Sequence, residues 1–157
     1  MASDKDFSEL IEKFSTSAKL AQECGFDGVE IHAAHGYLLS SSLSPRINNR
    51  KDKWGGSFEN RARLLQLILQ KVRESVGKNF ILAVKINSSD FQKGGLEISD
   101  SVKIANLIEK ENIDFIEVSG GNFEAPEAYQ YVSLKESTKS REAYFLDAAK
   151  NIKASVS

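Results

Sequence analysis

The stretch GFDGVEIHAAHGYLL, residues 25–39, decides how the chain is read. Gly25 ends an amphipathic run, and FDGVEIH is short and β-branched, as a buried strand requires. Side chains alternate along a strand, so Glu30 and His32 share one face while Val29 and Ile31 share the other. The only two histidines of the chain, His32 and His35, lie here with Tyr37. Three titratable rings thus follow directly on a strand end.

Working outward, the pattern repeats. Phe7, Leu10, Ile11, Phe14, Ala18 and Ala21 fall on one face of a helix predicted over Asp6–Cys24. Ser3 with Asp6 suits a capping box at its start. After the rings comes a polar segment, His35 to Gly56. Ser57 is placed to cap a second helix that Gly77 ends. FILAVKI is a second strand, Ser99–Glu111 a third helix and DFIEV a third strand. A Gly-rich loop, SGGNFEAPEAY, leads to a final helix predicted from about Ser140 to Lys153. Strands separated by helices imply parallel pairing, so the fold class is α/β, a single domain over residues 1–157.

Composition adds exclusions. With 41% hydrophobic and 27% charged residues among 157, a real core is affordable. The net charge of −1, with basic residues scattered, gives no footprint for nucleic acid or an anionic membrane. No run reaches the roughly 20 apolar residues of a membrane span. The acidic, polar start does not read as a secretory leader, and the lone Cys24 forms no internal disulfide, so a cytoplasmic setting is expected.

All three strands end alike. Lys85 and Asn87 share a face of the second, and Glu117 and Ser119 a face of the third, opposite Val84, Ile86, Ile116 and Val118. Polar residues at the C-terminal ends of parallel strands border the active site of a (β/α) barrel or the crevice of an open sheet. An internal ion-pair cluster, Lys85 with Glu30 or Glu117, is the plainer and less favoured account of the charges, and the two readings are compatible. For the rings, a zinc site would want a third histidine that is absent, so no metal is expected. No serine or cysteine stands in a nucleophile motif. A third chemistry fits better: two imidazole N–H donors gripping an oxygen on which charge develops, with a phenol as proton donor. On spacing alone it stands level with a plain alternative, His32 as a satisfied interior residue and His35 and Tyr37 on a loop surface.

The longer run GFDGVEIHAAHGYLLSSSLSPRINNRKDKWGGSFENRARLL, then FILAVKINSSDF and IEVSGG, closely resembles the old yellow enzyme family of FMN-dependent NAD(P)H:flavin oxidoreductases. It is most similar to members with a His/His rather than a His/Asn pair. The resemblance implies a TIM (β/α)8 barrel with FMN at its C-terminal face and NADH or NADPH as reductant. It implies that His32 and His35 bind the carbonyl oxygen of an α,β-unsaturated substrate and that Tyr37 protonates the α-carbon. Lys85 takes the place of a basic residue near the flavin, and Ser119 lies at the flavin-proximal end of its strand. Asn60, Arg61 and Arg63 are expected to order the long loop instead.

A whole barrel needs about 250 residues. The expectation is therefore a partial barrel of about three parallel strands, barrel strands 4 to 6, with two open edges that predict self-association. Two readings follow: the catalytic segment of an ene-reductase, or a truncated, non-catalytic remnant or self-associating half-barrel that does not bind FMN on its own.

Overall fold

The computed structural model describes residues 2–125 and 143–157. Three parallel strands, β1 (Gly28–Ala33), β2 (Ile81–Asn87) and β3 (Phe115–Ser119), form one sheet in the order β1-β2-β3. Helices α1 (Asp4–Glu23), α2 (Leu38–Leu43), α3 (Phe58–Val76), α4 (Ile98–Glu109) and α5 (Leu146–Lys153) complete the described elements. The parallel pairing is what the alternation implies, and three such strands with flanking helices make up the barrel sector that the resemblance implies.

The helix boundaries follow local chemistry. Ser3 and Asp6 form the reciprocal capping box of α1, which satisfies two otherwise orphaned backbone donors. Gly25 leaves α1 at φ +87°, and Gly77 leaves α3 at φ +76°. Both need a backbone that residues with a Cβ rarely adopt. The Ser57 side chain accepts from Asn60 N at the start of α3. The final helix begins at Leu146; the predicted start, about Ser140, lies outside the described residues. The third helix runs Ile98–Glu109, two residues short of its predicted end.

One element was not foreseen. Leu38–Leu43 is helical within the segment read as polar loop. Leu39 and Leu43 are buried, and two of the intervening serines bond the backbone of neighbouring segments. Ser41 Oγ donates to Gly36 O, and Ser42 Oγ to Arg61 O. The rest of that segment is ordered as expected from α3. Arg61 Nε donates to Leu43 O, Arg63 Nε to Lys53 O, and Asn60 Nδ2 to Gly55 O.

The sheet has two unlike faces. Ile31, Leu82, Val84 and Ile86 are buried beside Leu65, Ile68, Leu69 and Val72 of α3 and Ile104 and Ile108 of α4. Burying one such side chain contributes about 1.5–3 kcal/mol. The opposite face is open: Ile81 is 43% exposed and Phe115 52%. No strand among the described residues pairs with the outer edge of β1 or of β3. Exposed apolar groups on a parallel sheet, which is normally covered on both faces, are what a sector of a barrel presents.

Candidate functional site

The register assembles the polar residues. His32 pairs across to Lys85, and Lys85 to Glu117, so the three form a row on the open face. Asn87 pairs with Ser119 one step nearer the C-terminal ends. Five of the six positions that strand alternation grouped are thus side by side, and the sixth, Glu30, lies opposite Ala83 two residues earlier on β1.

The loop after β1 turns back over these ends. His35 has φ +64° and Gly36 φ +77°. Gly36 is required for a second reason: a Cβ there would lie 2.8 Å from Asn122 Cβ, on the loop after β3. The two loops therefore meet without a side chain between them. The turn brings the rings together. His32 and His35 have centroids 5.1 Å apart at 62°, and His32 and Tyr37 5.2 Å apart. Phe123, exposed, packs edge-on to Tyr37 at 5.0 Å. His35 Nε2 lies 2.6 Å from Ser119 Oγ.

Behind the rings is a network that residue-type reasoning missed. Asn87 accepts from His35 N at 3.0 Å and donates to Asp90 Oδ1 at 3.0 Å and Gly121 O at 2.9 Å. Asp90 Oδ2 in turn accepts from Ser44 Oγ at 2.7 Å and Leu96 N at 2.9 Å. Asn87 and Asp90 are both buried. One amide and one carboxylate join the loops after all three strands. The sequence signal was the burial-facing position of Asn87, polar where a barrel interior is crowded, but its partners are distant in sequence.

The electrostatics favour neutral imidazoles. Burial lowers the His32 pKa below its ordinary value, and the Lys85 cation adds to this. Burial lowers His35 as well, helped by His32 and Lys85. Lys85 Nζ binds Glu117 Oε1 at 2.6 Å. That hydrogen bond holds the Glu117 carboxyl below its usual range, whereas burial and the neighbouring Glu117 push Glu30 upward. The ion-pair cluster offered as the simple alternative is therefore present, under the rings rather than instead of them. Among the described residues, no group of three or more His, Cys, Asp or Glu is arranged to hold a metal ion. No helix among them is long and apolar enough to cross a membrane.

A barrel sector with a polar row and an ion pair at its strand ends, and a ring cluster on the first loop, has its polar groups at the end where (β/α) barrels carry their active sites. The chain belongs to the NADH:flavin oxidoreductase / NADH oxidase family, whose sequence profile matches residues 1–154. It is 37% identical over 158 residues to an NADH-dependent flavin oxidoreductase of Aspergillus parasiticus, covering 99% of this chain and 35% of that one. It is 42% identical over 118 residues to an NADPH dehydrogenase of Halalkalibacterium halodurans, covering 75% of this chain and 34% of that one. Among solved structures, a 2-naphthoyl-CoA reductase in complex with 2-naphthoyl-CoA superposes with a TM-score of 0.83 at 32% identity, over 97% of this chain and 22% of that one. The old yellow enzyme homologue from Zymomonas mobilis gives a TM-score of 0.70 at 24% identity, over 94% and 47%, which supports the fold alone. The chain spans about a third of the length of these curated relatives.

The family's cofactors are FMN with NADH or NADPH. The donor set here fits the ring portion of FMN. Lys85 supplies a cation and Ser119 a hydroxyl beside an open, partly apolar face. Among the described strand residues that face carries no second lysine or arginine for a phosphate.

Proposed function

We propose that this chain is the substrate-side segment of an FMN-dependent ene-reductase, acting on the C=C bond of an α,β-unsaturated carbonyl. The observation that carries the reading is the ring cluster of His32, His35 and Tyr37 on a single turn at the strand ends. Bound FMN, reduced by NADH or NADPH, would supply the hydride that reaches the β-carbon.

The chain's own residues handle the oxygen and the proton. His32 and His35 hold the carbonyl oxygen, each neutral ring offering one N–H. Neutral donors suit this task, because they stabilise charge as it develops without binding a resident anion first. Tyr37, half exposed beside His32, delivers its hydroxyl proton to the α-carbon. Hydride and proton together saturate the bond. Lys85 and Ser119 face the flavin, Lys85 offering positive charge where the ring gains electrons; the pair with Glu117 tempers that charge. A lysine does not make the forked contact of an arginine, so it acts as a point charge.

A second reading has its own observation. Exposed Ile81 and Phe115, with two open strand edges, favour a self-associating half-barrel that holds no flavin. One experiment separates them. The purified chain is incubated with FMN, buffer-exchanged and scanned. A retained flavin band at about 450 nm supports the first reading; a colourless protein that sediments as an oligomer supports the second. In a flavin-loaded protein, Tyr37→Phe slows enone reduction while flavin reduction by NAD(P)H is unchanged. Equal loss of both steps defeats the proton-donor role.

A further inference from the structure

His35 is constrained twice over, once at its backbone and once at its ring. Its φ of +64° is uncommon for a residue with a Cβ. Its backbone N–H donates to Asn87 Oδ1, and Asn87 is 2% exposed. The Asn87 amide is itself oriented. Turned over, its NH2 would face the His35 N–H, and its oxygen would face the Asp90 carboxylate and the Gly121 carbonyl. The end of β2 therefore fixes where the backbone presents the His35 ring.

The ring has its own partner. Nε2 lies 2.6 Å from Ser119 Oγ. Among the described residues that hydroxyl has no other hydrogen-bond partner, so Nε2 is the protein acceptor its proton can reach, while the opposite tautomer would make Nε2–H the donor to Oγ. A ring nitrogen that accepts carries no hydrogen, and a neutral imidazole then carries its hydrogen on the other nitrogen. Burial and the Lys85 cation lower both pKa values, which favours the neutral rings.

We propose that Asn87 and Ser119 preset His35 before any ligand arrives: Asn87 fixes the backbone, and the Ser119 O–H donates to Nε2 and keeps the ring proton on Nδ1. The purpose of this arrangement rests on the oxygen-clamp reading above. A clamp donor whose tautomer is already selected does not have to reorganise when charge appears on the substrate oxygen. Asn87 and Ser119 are positioning residues here, acting through His35.

The test needs no flavin. With two histidines in the chain, 15N-labelling of histidine gives two ring systems that NMR resolves. At pH 8 the wild-type chain is expected to show His35 protonated at Nδ1. Ser119→Ala is expected to lose that state in favour of Nε2–H, with His32 unchanged, and Ser119→Thr to keep it. Asn87→Ala is expected to speed amide exchange at His35 while Ile68 in α3 stays protected. Should Asn87→Ala fail to fold, the serine variants decide. A wild-type His35 protonated at Nε2, or one unaffected by Ser119→Ala, overturns the proposal. A colourless protein with Nδ1–H at His35 refutes the flavin reading and leaves the presetting standing. A flavin-binding protein with Nε2–H does the reverse.

Discussion

Replacing Asp90 by asparagine tests the network behind the rings. Asp90 is buried, and all three of its side-chain contacts come from donors: Ser44 Oγ, Leu96 N and Asn87 Nδ2. Asparagine has one oxygen and one NH2. Either orientation sets that NH2 against a donor. The less costly one keeps Ser44 and Leu96 on the oxygen and turns the NH2 toward Asn87 Nδ2. Asn87 does not turn in response, because His35 N and Gly121 O hold it. One buried bond is lost, a donor is left facing a donor, and two bonds to a carboxylate become bonds to a neutral oxygen. A bond to a charged group contributes about 1.5–3 kcal/mol and a neutral one about 0.5–1.5, while an orphaned buried group costs about 1–3. The expected loss is about 2–4 kcal/mol. Urea unfolding followed by Trp54, the single tryptophan, which is buried against Phe7 with ring centroids 4.5 Å apart, reads it directly. An unchanged m-value confirms that stability alone moved. Ser44→Ala, losing one donor, should cost less, and the double variant should be non-additive. A loss below about 1 kcal/mol for Asp90→Asn would refute the donor-only assignment and the fixed orientation of Asn87.

Other outcomes follow from the same geometry. Gly36→Ala combines φ +77° with a Cβ 2.8 Å from Asn122 Cβ; a loss of about 1–3 kcal/mol in the urea experiment is expected, and a neutral result means the two loops do not touch in solution. Lys85→Met breaks an ion pair whose glutamate is half exposed, so stability should shift by less than about 1 kcal/mol. The Glu117 carboxyl, followed by 13C NMR titration, should move back up toward its ordinary range; an unmoved Glu117 rules out the pairing. The two depressed histidines predict a pH dependence with a definite sign. The unfolded chain takes up protons first as pH falls, so their contribution is complete above the unfolded value, near 6.5, and is lost below it. Thermal midpoints should therefore drop between pH 7 and 5.5, and His32→Gln with His35→Asn should flatten that limb. Glu30, whose carboxyl is pushed upward, works in the opposite sense, so Glu30→Gln should steepen it.

The row of His32, Lys85 and Glu117 was legible because strand alternation is a strict period of two, and a parallel register keeps same-face residues in line. Helix ends were legible at Ser3, Gly25, Ser57 and Gly77 because capping is a local exchange between neighbours. The helix Leu38–Leu43 was hidden by its three serines, poor interior helix formers, two of whose hydroxyls here bond the carbonyls of Gly36 and Arg61. Beyond the polar Asn87 itself, the Asn87–Asp90 network was not legible, since hydrogen bonds across 34 or 52 positions have no periodicity. The left-handed backbone at His35 was masked by Gly36, which alone accounts for a tight turn. Spacing raised the clamp and proton-donor roles only level with a plain reading, and likeness to a family tipped the choice.

That left-handed backbone limits which residues inheritance can place at position 35. A replacement must offer an N–H toward the same oxygen and must also sit comfortably at φ +64°. Glutamine, lysine and arginine have the donor but not the backbone preference. Asparagine and histidine have both, being several-fold enriched among non-glycine residues at positive φ. The family resemblance distinguishes His/His from His/Asn members, and the turn gives that alternation a conformational cause. The backbone shape admits few side chains, and the two that it admits most readily are both oxygen-gripping donors. If His35 serves the proposed clamp, an asparagine is the replacement that keeps both the backbone shape and an N–H donor.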